Sequence, residues 1–165
     1  MRKKLIMIVI TGIVIPHLFA QSTSQNSKRM KPPSPRPGAF LNMSRPTKVS
    51  GDGMTTPSGV KYWDIQKGDG DPAVKGHVVK ILYTAWIAEN GKEFASSAGD
   101  ARPTVFTVGA GQVIKGWEDG VEGMKPGGKR QFRVPADLAY GTAGVPPLVP
   151  PNATLIFDVV LIEVQ

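Results

Sequence analysis

Ile114-Lys-Gly-Trp117-Glu-Asp-Gly-Val121-Glu-Gly-Met124 is the stretch on which the fold turns. Its large apolar residues fall at offsets of three, seven and ten, which is one face of a helix. Gly116, Gly120 and Gly123 make the same peptide a poor helix by intrinsic propensity. Together these facts predict a short helix that exists because Trp117 packs into something larger. The chain on either side is made of strand formers. Before the helix come residues 60–65, 77–87 and 104–108, all rich in β-branched and aromatic side chains. A turn at 67–72 separates the first two, and Asn90-Gly91, a strong hairpin signal, follows the second. After the helix come residues 129–134, which alternate, and a long final run at 154–164. About five strands, mostly antiparallel, around one short helix is an α+β fold.

Composition agrees. The chain has 165 residues, room for one domain with appendages, and 41% of them are hydrophobic. Nineteen glycines and fifteen prolines favour turns and short strands over a helical bundle. There is no cysteine, which removes disulfides and thiolate chemistry. The net charge of +7 is unevenly spread. Residues 1–20 hold three basic side chains and no acid, and residues 21–57 hold six against Asp52 alone. Residues 58–165 hold eleven basic and twelve acidic side chains. A nucleic-acid binder concentrates Lys and Arg on a folded face. Here the folded part is nearly neutral, so nucleic acid is not an expected partner.

Residues 1–20 have the layout of a secretory signal peptide: Arg2, Lys3 and Lys4, then an apolar run from Leu5 to Ile15, then a short end closing on Ala20. The apolar run is well short of the roughly 20 residues of a spanning helix. Export to the periplasm or the cell exterior is therefore expected, with an uncleaved N-terminal anchor as the alternative. Residues 21–57 carry six prolines, many Ser and Gln, and no periodicity. They read as a flexible basic linker, since such a segment buries too little surface to offset its chain entropy. The folded domain is expected at 58–165.

Most reaction chemistries find no residues to carry them. His77 is the only histidine beyond the leader, and no Gly-x-Ser-x-Gly string offers a nucleophile. Sites built on several His or Cys ligands cannot form. Asp69-Gly-Asp71 lacks the later ligands of a calcium loop, and Gly109-Ala-Gly111 fails as a dinucleotide fingerprint at Ile114. What remains is a set of aromatic and aliphatic residues punctuated by Gly and Pro. Read alone, Trp117 and Phe157 are core residues. Tyr140, beside Gly141 in a Pro-rich loop, is harder to explain that way.

The strings around these residues say more. Tyr83-Thr-Ala, Gly91-Lys-Glu-Phe94, Gly111-Gln-Val-Ile-Lys-Gly-Trp117-Glu-Asp-Gly120, Ala139-Tyr-Gly141 and Pro150-Pro-Asn-Ala-Thr-Leu-Ile-Phe157-Asp-Val occur in that order. Over roughly residues 55–165 the chain closely resembles the FKBP-type peptidyl-prolyl cis-trans isomerases. The resemblance implies a half-wrapped antiparallel β-sheet around one short helix, in agreement with the strand reading. It implies an enzyme that speeds rotation about X–Pro bonds and assists the folding of exported proteins, without cofactor or metal. By the same resemblance Trp117 is a pocket floor under the proline ring, and Tyr83, Phe94, Val113, Ile114 and Phe157 are its walls. The Ile114 N–H and the Tyr140 hydroxyl would hold substrate carbonyls. Residues 141–151 would form the rim, with Leu148 and Val149 facing the ligand. The implied partners are proline-containing unfolded or exported polypeptides and, weakly, macrolide ligands. No dimerising helix is visible, so a monomer is expected.

Three positions depart from the family's usual pocket. Ala95 stands where aspartate is common, Thr104 where a wall phenylalanine is common, and Val145 where histidine is common. Loss of the aspartate implies a weaker isomerase, and Thr104 a smaller and more polar wall. The alternative function is a weakly active or inactive module on the same fold, holding Pro-containing chains as a chaperone would.

Overall fold

A computed structural model describes residues 44–98 and 102–165. The leader at 1–20 and most of the linker expected at 21–57 lie outside these residues. No helix among the described residues is long and apolar enough to cross a membrane.

Among the described residues the chain forms seven strands and one α-helix. They are β1 Met54–Thr55, β2 Lys61–Gln66, β3 Val78–Ile87, β4 Glu93–Ser96, β5 Thr104–Thr107, α1 Lys115–Val121, β6 Lys129–Val134 and β7 Leu155–Val164. A single 3₁₀ turn, Ala136–Leu138, follows β6. The sheet order is β1-β2-β6-β7-β3-β4, and every pairing is antiparallel. β5 shares β3's free edge with β4, pairing Val78–Ile81 while β4 pairs Thr84–Trp86. The two ten-residue strands β3 and β7 lie side by side at the centre.

Alternation decides what each face of the sheet carries. Ile81, Ala85, Ile87, Phe132, Val134, Leu155, Phe157, Val159 and Leu161 are buried together on the inner face with Trp117 and Val121 of α1. The glycines that weaken α1 as an isolated helix are what seat it there. A side chain at Gly116 would run into Val134, and one at Gly120 would meet the Phe132 ring at 2.9 Å. The backbone of α1 can lie against β6 only without those side chains. Arg130 closes the helix end: its Nη1 donates to the carbonyls of Gly120 (2.9 Å) and Glu122 (3.1 Å). Its Nε binds Asp64 at 2.6 Å, and the guanidinium stacks 4.2 Å from the Tyr62 ring centre. A cation there meets the negative end of the helix and its unpaired carbonyls.

The outer face is also covered. Leu82, Trp86 and Val160 are buried outside the main core, beside the buried polar side chains of Thr84, Lys129, Gln131 and Asp158. Burial holds the Lys129 ammonium below its usual value, against the opposing pull of Asp158.

The antiparallel sheet with one short helix agrees with the sequence expectation, and four differences have physical reasons. Strands β1 and β4, two and four residues long, are too short to leave a periodic pattern. The helix stops at Val121, so Ile114 stands at its N-cap and Met124 in the following turn, although both keep to the apolar face. Gly123, at a φ of +80°, turns the chain after the helix. The boundary expected at residue 58 also shifts. Thr47 is hydrogen-bonded to the sheet and β1 pairs with β2, so the folded part reaches back at least to Thr47.

Candidate functional site

Trp117 lies at the centre of a group of rings. Its indole is 4.6 Å from Tyr83, 5.4 Å from Phe157 and 6.1 Å from Phe106, centre to centre. The Tyr83 and Phe157 contacts are edge-to-face, at 73° and 87°, the arrangement aromatic quadrupoles favour. Phe157 continues the group, edge-on to Phe94 at 6.3 Å and tilted against Phe132 at 5.6 Å. Each ring is placed by a different element: Trp117 by α1, Tyr83 by β3, Phe94 by β4, Phe106 by β5, Phe132 by β6 and Phe157 by β7. All of these elements meet on the inner face of the sheet.

Exposure grades outward from that centre. Trp117 and Phe157 are buried, whereas Tyr83, Phe94, Val113 and Ile114 are half-buried and packed against the core. Ala95 and Thr104, two of the positions that depart from the usual pattern, are half-buried on β4 and β5. Tyr140 is exposed beyond them. Ile114 caps α1 with its carbonyl, which accepts from the Trp117 N–H at 2.9 Å. Its own N–H has no hydrogen-bond partner among the described residues. The indole Nε1–H of Trp117 is buried, also with no partner among the described residues.

The loop after Tyr140 is held in a tight shape. Val145 and Val149 exchange backbone bonds of 2.8 and 2.9 Å, and Asn152 donates to Gly141 at 2.9 Å. Gly144, at a φ of +62°, sits 2.5 Å from Val149 O measured from where a side chain would begin, so only glycine fits. This geometry divides the two rim residues read from the sequence. Leu148 is exposed at the loop tip, and Val149 is buried in the core with Trp117 and Phe157. The bridge turns consecutive side chains to opposite sides, so Leu148 alone of the two presents its side chain outward.

Burial raises the Tyr83 hydroxyl above its ordinary value, and the nearby Tyr140 pushes the same way. The Tyr83 phenol therefore stays neutral at physiological pH and can donate a hydrogen bond. The group as a whole is a set of buried rings bordered by half-buried apolar side chains and the Tyr83 hydroxyl. Phe106 was not singled out in the sequence. Its signal is the alternation of Thr104-Val-Phe-Thr107, which turns Phe106 inward with Val105 exposed. A cleft of about 230 Å³ opens elsewhere, lined by Asp64, Lys67, Met124, Lys125 and Arg130 among others. Asp64 and Arg130 are paired with each other there. The aromatic group, where the Ile114 N–H and the Trp117 indole N–H have no partner among the described residues, is the better candidate.

Known proteins resemble this chain over the same region. Residues 70–162 match the family described as FKBP-type peptidyl-prolyl cis-trans isomerase. A Neisseria meningitidis "FK506-binding protein" is 48% identical over 101 residues, covering 61% of this chain and 92% of the relative. The Saccharomyces cerevisiae "Peptidyl-prolyl cis-trans isomerase FPR2" is 47% identical over 93 residues, covering 56% of this chain and 69% of the relative. Among solved structures, AtFKBP13 superposes with a TM-score of 0.61 at 40% identity, over 67% of this chain and 97% of its own. FkpA from Escherichia coli superposes with a TM-score of 0.63 at 36% identity, over 70% of this chain and 53% of its own.

Proposed function

The chain belongs to the FKBP-type peptidyl-prolyl cis-trans isomerases and is an enzyme of X–Pro bond rotation, and we propose that it works on the aromatic group around Trp117, assisting the folding of exported chains. One observation carries the site: a buried indole boxed by Tyr83, Phe106 and Phe157 beneath half-buried walls. Rotation about an X–Pro bond has a barrier of about 18–20 kcal/mol and takes tens to hundreds of seconds unaided. In the twisted transition state the amide loses resonance, and the charge separation between nitrogen and oxygen falls. An apolar floor under the proline ring favours that less polar state over the planar one. The unpartnered Ile114 N–H and the exposed Tyr140 hydroxyl fix the flanking carbonyls, so the ring turns against a held chain. Export rests on the leader layout of residues 1–20.

The exposed Tyr140, Val145 and Leu148 give the rim an apolar surface. That surface favours a second role for the same site, holding Pro-containing chains between turnovers. FK506-type ligands would dock on the same floor, loosely, because Thr104 leaves one wall short.

Isomerisation of a labelled X–Pro tetrapeptide by residues 21–165 tests the reading. The wild type is expected to exceed the uncatalysed rate. Trp117→Leu, which removes three ring contacts of about 0.5–1.5 kcal/mol each, is expected to lose on the order of tenfold or more in kcat/KM. Equal rates for the two proteins would place the chemistry elsewhere.

A further inference from the structure

The aromatic group has a second layer behind it, on the other side of the sheet. Gln131 and Asp158 are cross-strand partners in β6 and β7, as are Phe132 and Phe157. Side chains alternate along a strand, so the polar pair faces outward where the aromatic pair faces inward. The polar pair is buried all the same, at 4% and 5% exposure. What ties it down is Thr47. The Thr47 N–H donates to Asp158 Oδ2 at 3.0 Å, and its hydroxyl donates to the same oxygen at 2.5 Å. Gln131 Nε2 donates to the Thr47 carbonyl at 2.8 Å and to Asp158 Oδ1 at 2.7 Å. Lys129 Nζ donates to the Thr47 hydroxyl at 3.1 Å. Every polar group of Thr47 is engaged, with three buried side chains of two adjacent strands. The strap then runs on toward β1, and on the way Gly51 O accepts from Trp63 Nε1 of β2 at 3.1 Å.

We propose that Thr47 is a positioning residue for the isomerase site: by fastening Asp158 and Gln131 on the outer face it fixes the Phe157 and Phe132 rings that back Trp117 on the inner face. The proposal rests on the isomerase reading of the aromatic group. A buried carboxylate deprived of donors must find others or move toward water, and both Asp158 oxygens are held within this cluster. Asp158 cannot shift along β7 without carrying its neighbour Phe157 with it. Misplacement of a wall ring by a fraction of a contact distance changes how closely the proline ring is gripped.

The test uses the chain at 21–165 with Thr47→Val, which keeps the shape and removes the hydroxyl, and Thr47→Ser, which keeps the hydroxyl. Isomerase kcat/KM is read well below the unfolding midpoint, where every variant is fully folded, beside the NMR position of the Trp117 indole N–H. Thr47→Val is expected to lose roughly three- to tenfold in kcat/KM and to shift the indole signal, with both restored by Thr47→Ser. A lowered midpoint with unchanged kcat/KM and an unmoved indole signal would make the strap a stabiliser only and overturn the proposal. If the wild type itself is inactive, the isomerase reading fails, and the indole signal alone still decides whether the strap reaches Trp117. Should Thr47→Val fail to fold, Lys129→Gln removes the ammonium that donates to the same hydroxyl. It is expected to move both readouts in the same direction, and no movement would overturn the proposal.

Discussion

Tyr83 and Ala95 set the chemistry at the edge of the aromatic floor. The Tyr83 hydroxyl is raised by burial and by Tyr140, so its neutral form is favoured in the folded state. A group whose folded value is raised contributes stability that is complete below the unfolded value, about 10 for tyrosine, and is lost as pH rises through the folded one. Stability and kcat/KM should therefore be flat with respect to this group through neutral pH and fall only above pH ~10. Tyr83→Phe should remove that alkaline step in a pH series of unfolding midpoints. Ala95, on β4 beside the strand that carries Tyr83, offers no side-chain acceptor. Ala95→Asp supplies one, and at about 0.5–1.5 kcal/mol for a hydrogen bond it should raise kcat/KM roughly two- to tenfold. Most of these residues were legible in the sequence because ordered strings carried them. Phe106 was not, because one ring in a four-residue strand looks like any core residue. The burial of Val149 is not legible, because the Val145–Val149 bridge that accompanies it is a backbone feature.

At the scale of elements, α1 shows why propensity and structure disagree. Its glycines were read as a weakness, and the period of its apolar residues still located it correctly. Gly116 is there because Val134 leaves no room for a side chain. Gly116→Ala should gain up to about 1 kcal/mol of helix propensity and lose about 1–3 kcal/mol to overpacking against β6. The expected net outcome is a lower midpoint in urea or thermal unfolding, and a more stable variant would contradict the close packing. The strands β3 and β7 were legible as long runs of β-branched and other apolar residues, and β6 as a six-residue alternating run. β1 and β4 were not, because they are defined by their partners.

Over the whole molecule, composition separated a basic N-terminal part from a neutral folded part but set the border at residue 58. Composition cannot see that Thr47 fits three polar side chains on the far face of the sheet. A chain beginning at residue 58 keeps every residue of the expected domain and loses the strap and β1. It is expected to unfold at a lower temperature than residues 21–165, by several degrees for a loss of about 1–2 kcal/mol. Equal midpoints in calorimetry would return the border to residue 58.

The place of β7 between β3 and β6 has a consequence for how the molecule is made. In the order of synthesis Leu155–Val164 follows every other described strand, and it is the one that joins the two halves of the sheet. Until it arrives, β3 and β6 both present open edges, the usual starting points for misassociation between chains. Vectorial emergence thus delays closure: until those ten residues are free, the strands made before them stand as two unjoined sets.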